Sequence, residues 1–345
     1  MLLSNIFTSF FCIKRKICVT ILLSLVLISF NIQAENKASL PVNWSGNFQY
    51  DFTSLNAEND ETLSRGLLTI NAESDLSNYL GNGALFSVDL ALQRGSEPAF
   101  LGDVQVFSNL DSSDFTRLYE IFLQFNPTRN GTLKIGQLDA NSDFAGPEYT
   151  GEFLNSSMGF SPTIPLPSYP ETALGVNYAH QLTNHTELKL GIYESLERAS
   201  TFDEQIYLAQ VNLTELANFR VGIGHWYDTA LKHGEPYIIV EYQASPDIFA
   251  SFQYGFGEAD TVGLDYHTGL NFSLLNVVLT NDVFGMGYTW VSASDRFESA
   301  SELYYGFPVS ENVSLKIDLQ YINNPGLSID ADNALASTLR LEMQF

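Results

Sequence analysis

Residues able to make or break covalent bonds are present in this sequence, but their spacing does not assemble them into a catalytic set. The five histidines are scattered, and His180 and His185 merely flank what reads as a turn. No His-Glu-x-x-His or Gly-x-Ser-x-Gly pattern occurs, so neither a zinc-held water nor an elbow-mounted serine is signalled. Gly222 and Gly224 lie two apart, where glycine in a strand marks close packing more often than phosphate binding. The many carboxylates would allow calcium in the loops, yet no loop spaces them as a ligand set. The Asn-x-Ser/Thr triplets, such as Asn130-Gly131-Thr132, are chance occurrences outside a eukaryotic secretory context. No cofactor motif emerges. What regular spacing the polar side chains show is at every second position: Lys316, Asp318 and Gln320 in one run, Arg340 in another.

That period is the mark of a strand, and it is cleanest near the C-terminus. From Val313 to Tyr321 one face reads Val313, Leu315, Ile317, Leu319 and Tyr321, and the other carries Ser314, Lys316, Asp318 and Gln320. From Leu335 to Phe345 the same alternation returns, with Arg340 on the polar face and Phe345 on the apolar one. Weaker alternations recur upstream, around Phe48–Phe52, Arg65–Leu76 and Phe86–Gln93, then at Arg117–Phe125, Thr132–Leu138, Ala173–Gln181 and Thr186–Glu194. Further ones are Gln205–Leu213, Asn218–Tyr227, Pro236–Gln243, Asp247–Gly257, Leu264–Leu274, Val278–Val291 and Ser301–Val309. About 16 strands are expected, the two C-terminal ones included. Short turn-like connections, such as Pro127–Asn130 and Ser310–Asn312, alternate without a break with longer, acidic ones such as Ser195–Glu204, Ser292–Ala300 and Ile322–Ala334. A transmembrane up-and-down antiparallel β-barrel, all-β, predicts this alternation of short periplasmic turns and long external loops; a β-sandwich or β-propeller does not. Two connections are exceptionally long, Arg94–Thr116 and Asp139–Thr172. The second, residues 139–172, would be the long third external loop. It is rich in Gly, Pro and Ser and reads either as a constriction folded into the lumen or as a mobile surface loop.

Composition agrees with an exported membrane protein. Lys14, Arg15 and Lys16 precede an apolar run from Ile17 to Phe30, and Asn31-Ile32-Gln33-Ala34 offers a cleavage site before Glu35. Residues 1–34 thus read as a signal peptide, the alternative being a membrane-anchoring helix, and 35–345 as the barrel domain. Both cysteines, Cys12 and Cys18, fall in the leader, so the remainder has no disulfide or thiol chemistry. That remainder carries 13 Lys and Arg against 40 Asp and Glu, a net charge of −27 that argues against nucleic-acid binding. With 25 Phe and 17 Tyr in the chain, the acidity does not signal disorder.

Several stretches resemble the carbohydrate-selective porin (OprB) family. They are Gly102–Asn109, Arg117–Glu120, Ile135–Phe144 and Phe153–Gly159, continuing through Tyr169-Pro170 and Ala173–Gly175 and reappearing at Tyr321–Gly326. The resemblance covers about residues 102–175 and again 300 to the end. It implies a sixteen-stranded bacterial outer-membrane channel for passive diffusion of glucose-like sugars. A sugar pore needs polar side chains that exchange hydrogen bonds with hydroxyls and still release them. Arg117 and Glu120 match the family's block, but their spacing puts them on opposite faces of a regular strand. Glu120 and Gln124 are then expected in the lumen and Arg117 at the rim or beyond a bulge, with Tyr119 facing lipid. Asp139, Asn141, Asp143, Asn155, Ser156 and Ser157 would either line the constriction or hold the loop's turns. Lys316, Asp318, Gln320 and Arg340 are expected in the lumen. A general or cation-preferring porin remains the alternative, with an outer-membrane enzyme behind it. Expected partners are outer-membrane lipid and lipopolysaccharide, small sugars, and the barrel-assembly machinery, which would meet the last strand ending in Phe345.

Overall fold

The computed structural model describes residues 40–345 apart from 59 and 217. The expected leader therefore lies outside the described residues. In chain order the strands are β1 Val42–Asn56, β2 Glu61–Asp75, β3 Leu85–Gly95, β4 Phe115–Thr128, β5 Gly131–Leu138, β6 Ala173–Thr183, β7 Thr186–Glu194 and β8 Gln205–Leu216. They continue as β9 Phe219–Asp228, β10 Pro236–Ser245, β11 Ile248–Phe256, β12 Tyr266–Leu275, β13 Val283–Ala293, β14 Arg296–Ser310, β15 Val313–Asn323 and β16 Ala334–Gln344. Every strand pairs antiparallel with its sequence neighbours, and β1 pairs with β16 to close the barrel. Closure leaves the wall without a free strand edge, the condition for crossing hydrocarbon as a sheet. No helix among the described residues is long and apolar enough to cross a membrane.

The alternation read from the sequence is the inside–outside code of this wall. On β15, Ile317, Leu319 and Tyr321 are exposed on the outer face, while Lys316, Asp318 and Gln320 are buried inside. The outer face is apolar through its middle, with Leu270, Met286, Leu303 and Leu339 all exposed to the surroundings of the barrel. Aromatic rings border this band at both ends. Near the ends of β11 to β14 that carry the longer loops, Tyr266 lies 5.3 Å from Trp290 and Trp290 6.4 Å from Phe297. At the opposite, turn-bearing end, Phe219 lies 4.6 Å from Tyr242 and Tyr305 5.7 Å from Phe307. An apolar band between two aromatic girdles is the outer surface of a bilayer-spanning barrel.

Phe345 completes the last strand. Its backbone exchanges both hydrogen bonds with Gly46, and its ring lies where a Cβ on residue 46 would stand, 2.4 Å from the ring carbons.

The strict alternation of long and short connections is broken in four places, the first between β1 and β2, where β2 starts at Glu61 and the expected long connection Asn56–Ser64 is mostly strand. β13 begins at Val283 rather than Val278, because the Asp282 carboxylate accepts backbone N–H bonds from Val277, Val278 and Leu279 and folds that segment into a turn. The 292–300 stretch is a tight hairpin, not a long loop: β14 starts at Arg296, and its outer face there carries Ser299 opposite Trp290 and Ser301 opposite Tyr288, which interrupt the apolar pattern. On the turn-bearing end, residues 76–84 are extended by a one-turn helix at Ser77–Leu80.

Candidate functional site: the loop-filled lumen

Two connections, residues 96–114 between β3 and β4 and residues 139–172 between β5 and β6, fold into the barrel rather than away from it. The inner wall holds them largely through carboxylates that accept backbone N–H bonds. Glu120 accepts from Asp139 (2.8 Å), Glu241 from Tyr149 (3.1 Å), and Glu302 from both Leu154 (2.6 Å) and Asn155 (3.0 Å). Glu298 grips the shorter loop through Val104 and Gln105, both at 3.0 Å. A carboxylate offers four lone-pair sites and forms stronger bonds than a neutral acceptor, so one side chain can seat two loop amides. Between these grips the loop buries Phe144, Phe153, Leu154 and Met158. Glycines on the wall make room for them. A Cβ on Gly191 would stand 2.8 Å from the Phe144 ring, and one on Gly287 2.8 Å from Phe153 and 2.9 Å from the Met158 sulfur. The two loops also bond to each other: Ser156 N–H donates to the Val106 carbonyl and the Ser157 hydroxyl to that of Gln105.

The expected lumenal residues fall into two groups. Lys316, Asp318, Gln320 and Arg340 do face inward, but the loops cover them. Arg340 makes a bidentate pair with Asp51 (2.6 and 2.7 Å) and donates to Asn109 at 2.7 Å. Gln320 donates to the Phe107 carbonyl and to Asp318, and accepts from the Asn155 amide. Lys316 donates to the Glu152 carbonyl and lies 2.7 Å from its carboxylate.

The second group sits on β4, β5 and the start of the long loop. Asp89 pairs with Glu120 while Leu90 pairs with Leu118, leaving Tyr119 as an extra, bulged residue. The bulge returns Arg117 and Glu120 to one face, the inner one. Tyr119 is accordingly not a lipid-facing residue of a regular strand, since its hydroxyl donates to Asp139 at 2.5 Å. Arg117 donates to the Pro170 carbonyl and stacks 4.3 Å over Phe115, anchoring the far end of the loop. Gln124 stands opposite Lys134 and is half-buried.

Within the long loop the polar residues mostly hold its turns. Asp139 caps Ala140–Ser142 by accepting from Asn141 N–H, and Asn155 caps Ser156–Gly159 by accepting from Ser157 N–H. Burial pushes the Asp139 carboxyl above its ordinary range, against the hydrogen bonds from Tyr119 and Ser168 that hold it down. Asn141 donates to the Phe144 carbonyl. Ser156 is half-exposed at the start of its helical turn. Asp143 reaches the wall at Lys134, 2.8 Å away.

Residues not singled out from the sequence complete the arrangement. Lys134, Lys189 and Arg220 project inward from β5, β7 and β9; Lys189 donates to the Asp143 carbonyl, and Arg220 pairs with Glu148 and lies 3.8 Å from Glu241. Their signal was available: a charged side chain on a strand that crosses hydrocarbon must face the lumen, as the alternation showed for Lys316. Loop carboxylates Asp143 and Glu148 thus meet the half-buried wall cations Lys134 and Arg220, and Glu152 meets the buried Lys316. Among the described residues no His, Cys, Asp or Glu cluster suits a metal ion.

Comparison with known proteins agrees with this geometry. Residues 238–345 match the carbohydrate-selective porin, OprB family; this range includes Tyr321–Gly326 but not the stretch 102–175. No curated protein matches the chain in sequence. Among solved structures, the high-pH form of Pseudomonas putida OprB superposes with a TM-score of 0.77 at 15% identity, covering 88% of this chain and 94% of that one. Its low-pH form gives 0.64 at 15% identity, over 88% and 92%. A variant of the Rh. blastica porin gives 0.60 at 10% identity, over 88% and 100%. The chain is a closed sixteen-stranded barrel of the bacterial outer membrane with a porin fold, and its C-terminal third carries the match to the carbohydrate-selective porin, OprB family.

Proposed function

We propose that the barrel admits glucose-like sugars to the periplasm by passive diffusion, with no covalent step. The observation that carries this reading is the long loop itself, seated across the lumen with its carboxylates against wall cations. Such a passage offers paired charges and amides to sugar hydroxyls at a spacing short enough for exchange, while each bond made replaces one to water. The half-exposed residues Gln124, Lys134, Glu187 and Lys189 are the lining we assign to the passage, with Asp143, Glu148 and Glu152 facing them from the loop. Asp139, Asn141, Asn155, Asp318, Gln320 and Arg340 support the loop from behind, and Arg117 and Glu120 hold its ends. The exposed ring of Phe345, closing β16 against Gly46, is the element we assign to recognition by the assembly machinery.

Folded protein in liposomes should produce swelling in isosmotic glucose that exceeds protein-free controls. Folded barrels impermeable to glucose would overturn the reading.

A further inference from the structure

The charge of this barrel is arranged vectorially. The six connections at the loop-bearing end that do not fold inward carry 12 Asp and Glu against two basic residues, Arg198 and Lys232. Of the nine acids on the two inward loops, Asp111, Asp143, Glu148 and Glu152 are paired with wall cations. The seven connections at the other end carry three acids against one Arg. Net acidity is therefore a property of one mouth and not of the barrel as a whole. Deeper in, each cation in the turn-side half of the lumen is paired. Lys134 has Asp143 at 2.8 Å, Lys189 has Glu187 at 3.9 Å, Arg220 has Glu148, Lys316 has Glu152 at 2.7 Å and Arg340 has Asp51 at 2.6 Å. A solute entering from the loop side thus crosses an acidic funnel and then meets Lys134, Lys189 and Arg220, whose charge is already answered, while Lys316 and Arg340 are buried beneath the loops.

We propose that the channel sorts sugars of similar size by charge, passing neutral monosaccharides and retarding their anionic relatives, the hexonates. This rests on the sugar-diffusion reading. A mouth of one sign raises the local concentration of opposite charge and lowers that of like charge. The paired cations offer no compensating anion site below it. An anion would have to displace Asp143, Glu148 or Glu152 from partners at contact distance, whereas a neutral sugar need only share their hydrogen bonds. The mouth's contribution acts through solvent and is screened beyond about 10 Å at 0.1 M salt. Discrimination should therefore weaken as salt rises.

The test measures uptake of glucose and of gluconate into liposomes containing the full folded barrel, at low and high salt. In parallel, potassium-over-chloride permeability is measured in planar bilayers. At 20 mM salt, glucose flux should exceed gluconate flux by about tenfold, narrowing to about two- or threefold at 500 mM as the field is screened. Potassium should permeate in preference to chloride. The double variant Glu148→Gln, Glu152→Gln removes the nearest partners of Arg220 and Lys316, leaving each with one carboxylate at 3.8 Å, and should raise gluconate flux relative to glucose severalfold. A second variant, with Glu258, Asp260, Asp330 and Asp332 changed to amides, leaves the lumen untouched and should lower the glucose preference at low salt alone. It decides the matter if the first variant fails to fold. Equal fluxes of glucose and gluconate would overturn charge sorting while leaving sugar diffusion standing. Discrimination indifferent to salt and to the mouth variant would also overturn it, in favour of a steric filter. Absence of glucose flux with potassium still preferred would overturn the sugar reading and retain only a cation-preferring channel.

Discussion

The inner faces of β15–β16 and of β4–β7 follow the same alternation and meet different fates. On β15 and β16, Lys316, Asp318, Gln320 and Arg340 are buried beneath the two inward loops, and Lys316, Gln320 and Arg340 are bonded to them. On β5 and β7, the Lys134 and Lys189 side chains remain 24% and 18% exposed, and Glu187 beside them 28%. Strand periodicity decides which way a side chain points. Whether it meets solute is decided by what the loops lay over it. The clean alternation at the C-terminus marked the half of the wall that serves as a dock, while the plainer strands before it supply the open surface.

The comparison is broken most severely from the buried side. Asp51→Ala leaves Arg340 enclosed without its bidentate partner, which should cost about 3–5 kcal/mol. Urea unfolding in detergent micelles, followed by the mobility difference between folded and unfolded forms, should show this loss; a shift below 1 kcal/mol would mean that Arg340 is solvated in the lumen. A smaller effect on stability but a larger one on conduction is expected at Glu302. Glu302→Ala strips the acceptor from two loop amides, weakening the docked loop by about 1–3 kcal/mol. Single-channel recordings should then show larger and noisier currents, and unaltered traces would place the grip elsewhere. The least effect on folding belongs to the open side. Lys134→Ala should change stability by about 0–1 kcal/mol, because its pair with Asp143 is partly solvated. Its influence should appear in ion selectivity instead, and a destabilisation as large as that of Asp51→Ala would erase the distinction between the two walls.

These particulars also bound what the sequence could tell. All sixteen strands and the long third loop were legible, because a wall between lipid and lumen imposes polarity on every second residue. Arg117 and Glu120 could not be placed on one face from spacing, since the bulge at Tyr119 adds a residue without a marker of its own. The turn residues Val278 and Leu279 read as strand because their side chains are apolar, although the Asp282 carboxylate governs their backbone. The docking of the loops was hidden for a different reason. Glu302 and Leu154 lie 148 positions apart, and Arg340 and Asn109 231 apart, so no local pattern joins them.

Those separations have a consequence for how the molecule is made. The amides of Leu154 and Asn155 are synthesised early, and the carboxylate that receives them arrives on β14. The receptor for Asn109 comes later still, on the final strand. The loops therefore have no finished seat until the last strands have joined the wall. The narrow passage is thus a product of the closed wall, because the loops that form it are held by β14 and β16, far along the chain from them.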